Sequence, residues 1–81
     1  MARVHLPRQV LHLTEGTEVL ELEAEDYRGM MEALEARFPE VRAPLEREMA
    51  VVIDGDIVDA PLLEPLAVGS EVHFLPRIGG G

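Results

Sequence analysis

The chain has 81 residues, enough for one domain and too few to bury much more than roughly 60% of its unfolded surface, which leaves little room for an enclosed active site. It contains no cysteine, so disulfides, thiolate metal sites, iron–sulfur clusters and thiol nucleophiles are excluded. Seven Arg, no Lys and 16 Asp plus Glu set a formal net charge of −9, which argues against a nucleic-acid partner and against an anionic membrane surface.

Residues 1–9 are interrupted by Arg3, His5, Pro7 and Arg8, so no leader peptide is expected. No apolar run approaches the length of a membrane span, and a cytoplasmic location is the expectation. Residues 2–6 alternate as a short strand, with Val4 and Leu6 on one face and Arg3 and His5 on the other. Pro7 stops it. Residues 8–16, with Val10, Leu11 and Leu13, fit either a helical turn or a packed loop, and Glu15-Gly16 is a turn signal. Residues 17–24 alternate again, with Leu20, Leu22 and Ala24 on one face and Val19, Glu21 and Glu23 on the other. This predicts a second strand, antiparallel to the first, whose Glu21, Glu23 and Glu25 read as charges that protect an edge.

The period then changes. Tyr27, Met30, Met31, Leu34 and Phe38 form one stripe of an amphipathic helix. Asp26 is its expected N-cap, and Pro39 ends it by biasing Phe38 out of the α region. Gly29 within it costs up to about 1 kcal/mol relative to Ala and is read as allowing a close approach to the sheet. Residues 41–47, with Pro44, read as a connection. Residues 48–53 form a strand with a continuous apolar run from Met49 to Ile53. Asp54-Gly55 is a hairpin signal, because a type I′ turn needs positive φ at both central positions. Residues 56–58 return. Residues 61–66 read as a loop anchored by Leu62, Leu63 and Leu66. After the turn at Val68-Gly69-Ser70 comes a last strand over residues 71–75, ended by Pro76.

The order β-β-α-β-β-β with a single helix suits a mixed sheet covered on one face. Placing the first and last strands side by side in parallel gives an α+β fold of β-grasp, or ubiquitin-like, type; other small α+β sheets also fit the pattern. The expected organisation is one β-grasp domain over residues 1–76 and a flexible glycine tail over residues 77–81. The run Met49 to Ile53 has apolar residues for both faces. The surplus either meets a partner or is covered by Leu62, Leu63 or Leu66 folding back.

Enzymatic constellations are absent. His5, His12 and His73 show no metal-ligand spacing, although His5 and His73 come close if the first and last strands pair; no metal is expected. Ser70, the single serine, lies in a turn outside any nucleophile motif. Asp54, Asp56 and Asp59 resemble half of a calcium loop, but position 65 is proline where the closing glutamate belongs, and a hairpin explains them better. The terminus is different. Three glycines follow Leu75-Pro76-Arg77-Ile78 directly. Without Cβ atoms such a tail can thread a narrow channel and present its carboxylate to a reagent.

The ending Phe74-Leu75-Pro76-Arg77-Ile78-Gly79-Gly80-Gly81 resembles the terminus of MoaD/ThiS-type sulfur carriers, whose pattern is an aromatic, Pro-Pro, Val or Ile, a small residue, then Gly-Gly. Arg77 departs from the second proline. Leu66-Ala67-Val68-Gly69-Ser70-Glu71-Val72 is similar to the family's entry into the last strand, with Val68 and Ser70 in place of acids. Phe38-Pro39 and Ile53-Asp54-Gly55 also resemble family members, while Leu13-Thr14-Glu15-Gly16 resembles the carriers that serve cysteine synthesis.

The resemblance implies a carrier rather than an enzyme. An E1-like adenylating enzyme using ATP would activate the Gly81 carboxylate, and a persulfide would convert it to a thiocarboxylate. A sulfur-acceptor enzyme such as the large subunit of molybdopterin synthase would then take the sulfur, with thiamin, cysteine or tRNA thiolation and ubiquitin-like modification as alternatives. Gly79 and Gly80 would thread, Leu75 and Ile78 would dock, and Arg77 would position the tail; no cofactor would stay bound. The acidic charge predicts a basic docking surface on the activating partner.

Overall fold

The computed structural model describes residues 1–59 and 61–77, with the side chain of Leu62 outside the described part. Strands β1 (Ala2–His5), β2 (Val19–Leu22), β3 (Met49–Ile53), β4 (Asp56–Val58) and β5 (Glu71–Pro76) form one sheet in the order β2-β1-β5-β3-β4. β1 and β5 run parallel in the centre, and every other pairing is antiparallel. This is the β-grasp arrangement expected from the element order.

Alternation sorts each strand's side chains onto two faces. Val4, Leu20, Leu22, Val51, Val72 and Phe74 are buried in one core with the stripe of helix α1 (Tyr27–Arg37). Asp26 caps α1 as predicted, its Oδ1 accepting from the Gly29 N–H at 2.8 Å. The Tyr27 N–H donates to the Glu64 carbonyl at 2.9 Å, so a second free donor of the first turn is satisfied from the segment before β5. Gly29 has a different role from the predicted one. A Cβ there would lie 3.1 Å from Asp26 Oδ1, so the glycine makes room for the cap rather than for the sheet.

Two segments differ from the sequence expectation. The presumed connection carries helix α2 (Arg42–Glu48). Pro44 falls in its first turn, where a missing N–H costs no helical hydrogen bond. Leu45 is its buried anchor, and Arg42 ties it to α1 by donating to Glu35 at 3.1 Å while also donating to Glu46 one turn on within α2, at 3.1 Å. In the segment before β5, a 3₁₀ turn at Pro61–Leu63, Leu66 enters the core, but Leu63 is 73% exposed and anchors nothing.

Residues 8–16 take the helical alternative, as a 3₁₀ helix Arg8–Leu13 that buries Val10. Thr14 closes it, buried, with its hydroxyl donating to the Thr17 carbonyl at 3.1 Å. The β3–β4 hairpin has φ +50° at Asp54 and +90° at Gly55, as the turn type requires.

Candidate carrier terminus and open sheet face

Strand β5, the last before the tail in the sequence, lies in the middle of the sheet. On β5, Leu75 pairs with Ala50 and Pro76 with Met49. The pairing continues past the strand, where the Arg77 N–H donates to the Glu48 carbonyl at 3.0 Å. Antiparallel pairs alternate between bonded and non-bonded, so Pro76 occupies a position whose missing N–H points away from β3. On that side β1 pairs only as far as His73, so the proline removes no ladder bond. The Arg77 guanidinium also donates from Nη2 to the Glu46 carbonyl at 3.3 Å. Glu46 lies in the last turn of α2, where backbone carbonyls lack helical partners and cations are favoured. A helix absent from the sequence prediction therefore holds the last described residue.

Arg77 also lines a cleft of about 410 Å³ with Tyr27, Glu46, Met49 and Val58. Tyr27 is 5% exposed, and burial pushes its phenol up to about 12, with the Glu46 charge acting in the same direction. Ile78, Gly79, Gly80 and Gly81, the predicted docking, threading and reactive residues, lie outside the described residues.

Among the described residues, the sheet face away from the helix is open. Val19, His5, His73, Val52 and Ile57 stand in register across all the strands. Toward the tail the next pair is Leu75 and Ala50, with Leu75 47% exposed. Away from the tail, Glu21, Arg3 and Glu71 form a charged row. Leu66 is in the core beneath the other face and Leu63 is exposed, so neither covers this surface, and the side chain of Leu62, the third residue expected there, lies outside the described part.

The strand pairing does bring His5 and His73 together. Their rings stack with centroids 4.0 Å apart and planes 5° from parallel. Glu71 joins them, its Oε1 2.5 Å from His5 Nε2. That hydrogen bond holds the Glu71 carboxyl below the usual carboxylate range, burial opposes it, and Arg3 adds to the lowering. Sequence reasoning missed Glu71, although its spacing from His73 places both on one face of a strand. Asp54 organises the turn beside them. It accepts from the Glu71 N–H at 2.8 Å and from Ser70 Oγ at 2.9 Å, and these bonds lower its pKa. Asp54 thus sits in the expected hairpin turn and, beyond that expectation, fastens the turn to the start of β5. Among the described residues, no helix is long and apolar enough to cross a membrane.

Solved structures share this architecture. A chain of the BexX/CysO complex of Amycolatopsis orientalis superposes with a TM-score of 0.86 at 20% identity, over 100% of both chains. SAMP1 from Haloferax volcanii gives 0.70 at 17% identity, over 99% of this chain and 98% of that one. A chain of the complex of subunits 1 and 2 of molybdopterin-converting factor from Helicobacter pylori gives 0.59 at 21% identity, over 99% and 97%. Comparison of the sequence with curated proteins returns no match. At these identities the structural likeness establishes the β-grasp fold, and the family rests on the sequence itself. The model of the ThiS family matches residues 4–81, and the chain belongs to that family.

Proposed function

We propose that the chain is a sulfur carrier whose Gly81 carboxylate is adenylated and then converted to a thiocarboxylate that donates sulfur. The observation that carries this reading is the coupling of a ThiS-family domain to its ending: β5, fastened through Arg77, is followed in the sequence by Ile78-Gly79-Gly80-Gly81. A carboxylate is a poor electrophile, so an E1-like enzyme spends ATP to attach AMP as a leaving group. The outer sulfur of a persulfide attacks the Gly81 carbonyl carbon, and the C–O bond to AMP breaks as the C–S bond forms, leaving an acyl disulfide to the donor; a second thiol of the donor then attacks the donor-side sulfur, forming a disulfide there and releasing the Gly81 thiocarboxylate. With no cysteine in the chain, the terminal carbonyl is where transferable sulfur would ride. The chain acts as a carrier subunit, with ATP as the activating enzyme's substrate and no resident cofactor.

Leu75 and Ile78 dock the partner, Arg77 aims the tail, and Gly79 and Gly80 thread it. Ala50 and Val52 extend the docking surface beside Leu75 on the open face. The net charge of −9 favours a basic partner surface. The acceptor is a molybdopterin precursor, with an enzyme such as the molybdopterin synthase large subunit, which the Phe74-x-Pro76-x-Ile78 ending supports. The TM-score of 0.86 for the BexX/CysO complex chain, against 0.59 for the molybdopterin-converting factor chain, favours a second reading, an acceptor outside that branch.

The test is mass spectrometry after incubation with ATP, an E1-like enzyme and a persulfide donor. The expected product gains the mass of one sulfur in place of one oxygen, and deletion of Gly81 abolishes it. Modification of the truncated chain at its end, or no modification of the full chain by any such enzyme of its host, overturns the reading. Higher-mass conjugates to lysine in native extract would assign the same activated end to protein modification instead.

A further inference from the structure

We propose that His5, Glu71 and His73 form a binding site for a divalent transition-metal cation of the zinc class on the open face of the sheet. One donor atom from each residue lies within 4.8 Å of the other two. Ligands about 2.0–2.1 Å from a tetrahedral zinc stand roughly 3.4 Å apart, so Glu71 Oε1 and His5 Nε2, at 2.5 Å, must part by about an ångström, and the stacked His73 ring must turn to aim a nitrogen at the same point, changes of side-chain torsion alone. Two imidazoles and a carboxylate suit zinc, copper or nickel, whereas magnesium and calcium prefer oxygen ligands alone.

The backbone has already done most of the positioning. His5 and His73 are register partners on the parallel central strands. Glu71 and His73 project from the same face of β5, which is paired on both sides. The contact between Glu71 Oε1 and His5 Nε2 shares a proton, and a metal ion would take the place of that proton. Arg3 Nη1 stands 3.9 Å from the other oxygen, Oε2, which leaves Oε1 for the cation. His73 is exposed, so the site opens to solvent and keeps a coordination position for water or an incoming group. No sequence spacing reveals this set, because 66 residues separate His5 from Glu71 and only the β1–β5 pairing joins them.

The experiment titrates Zn²⁺ into the untagged full chain, by calorimetry and by NMR of the imidazole protons. The expected result is one saturable site, with the His5 and His73 signals moving together and His12 unmoved. His73→Gln changes an exposed ring and should weaken binding at least about tenfold, as should Glu71→Gln, while His12→Gln leaves it unchanged. Mg²⁺ should produce no such shifts. Absence of saturable Zn²⁺ binding at millimolar metal overturns the proposal, as does binding that His73→Gln and Glu71→Gln leave intact. The NMR arm reads the unaltered protein, so its outcome does not depend on any variant folding, and neither arm involves the thiocarboxylate reaction.

Discussion

Arg77 is bonded to Glu48 through its backbone, and this contact carries the β3–β5 register one residue past the end of β5. The same residue reaches the Glu46 carbonyl with its guanidinium. The backbone bond and the side-chain bond act on different properties. Arg77→Ala keeps the first and removes an exposed contact, so its stability should stay within about 0.5 kcal/mol of the parent in urea unfolding. Arg77→Pro removes the N–H and leaves the Glu48 carbonyl unpaired, at a cost of about 1 kcal/mol. If the tail is aimed by this fastening, Arg77→Ala also slows adenylation of Gly81 at saturating ATP, measured as pyrophosphate release. An unchanged rate would remove Arg77 from the positioning role.

Leu75 is half-exposed opposite Ala50 on the open face, and little of the core depends on it. Leu75→Glu should therefore fold with stability near that of the parent while weakening the activating enzyme's grip. Leu63→Glu is the matched control, because Leu63 is more exposed and belongs to the 3₁₀ turn that neighbours α1, not to the open face. Equal affinities for the two variants in a binding titration would show that the open face is not the docking surface.

Most of the architecture was legible from alternation and helical period. Leu20 and Leu22, and the Tyr27-to-Phe38 stripe, each declare one buried face. Helix α2 was not legible, because Leu45 is its one buried residue and Pro44 reads as a breaker until its place in the first turn is known. Losing α2 from the reading also hid the carbonyls that hold Arg77. The predicted nearness of His5 and His73 was correct because it needed only strand order, whereas the rotamer that brings Glu71 onto His5 is a matter of packing.

Tyr27 is the single tyrosine, so its ionisation can be followed without interference. Its phenol should titrate at about 12 in absorbance near the phenolate band. In the unfolded chain the group ionises at about 10, so between these values the folded protein holds a proton that the unfolded chain has lost. Stability is therefore unaffected below about pH 10 and falls from there to about pH 12, by up to roughly 1.4 kcal/mol per pH unit. Tyr27→Phe should flatten that part of the stability profile. A midpoint near 10 in the folded protein would contradict the burial of Tyr27 as the cause of the shift.

Gly29 and Asp26 should show coupling of a definite sign. Alanine at position 29 gains about 1 kcal/mol of helix propensity, but its Cβ crowds Asp26 Oδ1 at 3.1 Å. That oxygen is held by the Gly29 N–H at 2.8 Å, so it can yield only by lengthening the cap bond. Loss of such a cap costs about 1 kcal/mol, and the two effects in Gly29→Ala should nearly cancel. Asp26→Ala alone should cost about 1 kcal/mol. With the carboxylate gone nothing opposes the new Cβ except contact with Ala24 at 3.8 Å, so Gly29→Ala added to Asp26→Ala should stabilise by up to about 1 kcal/mol. A double-mutant cycle in urea measures this directly. Additive effects would mean that the glycine is not there to seat the cap.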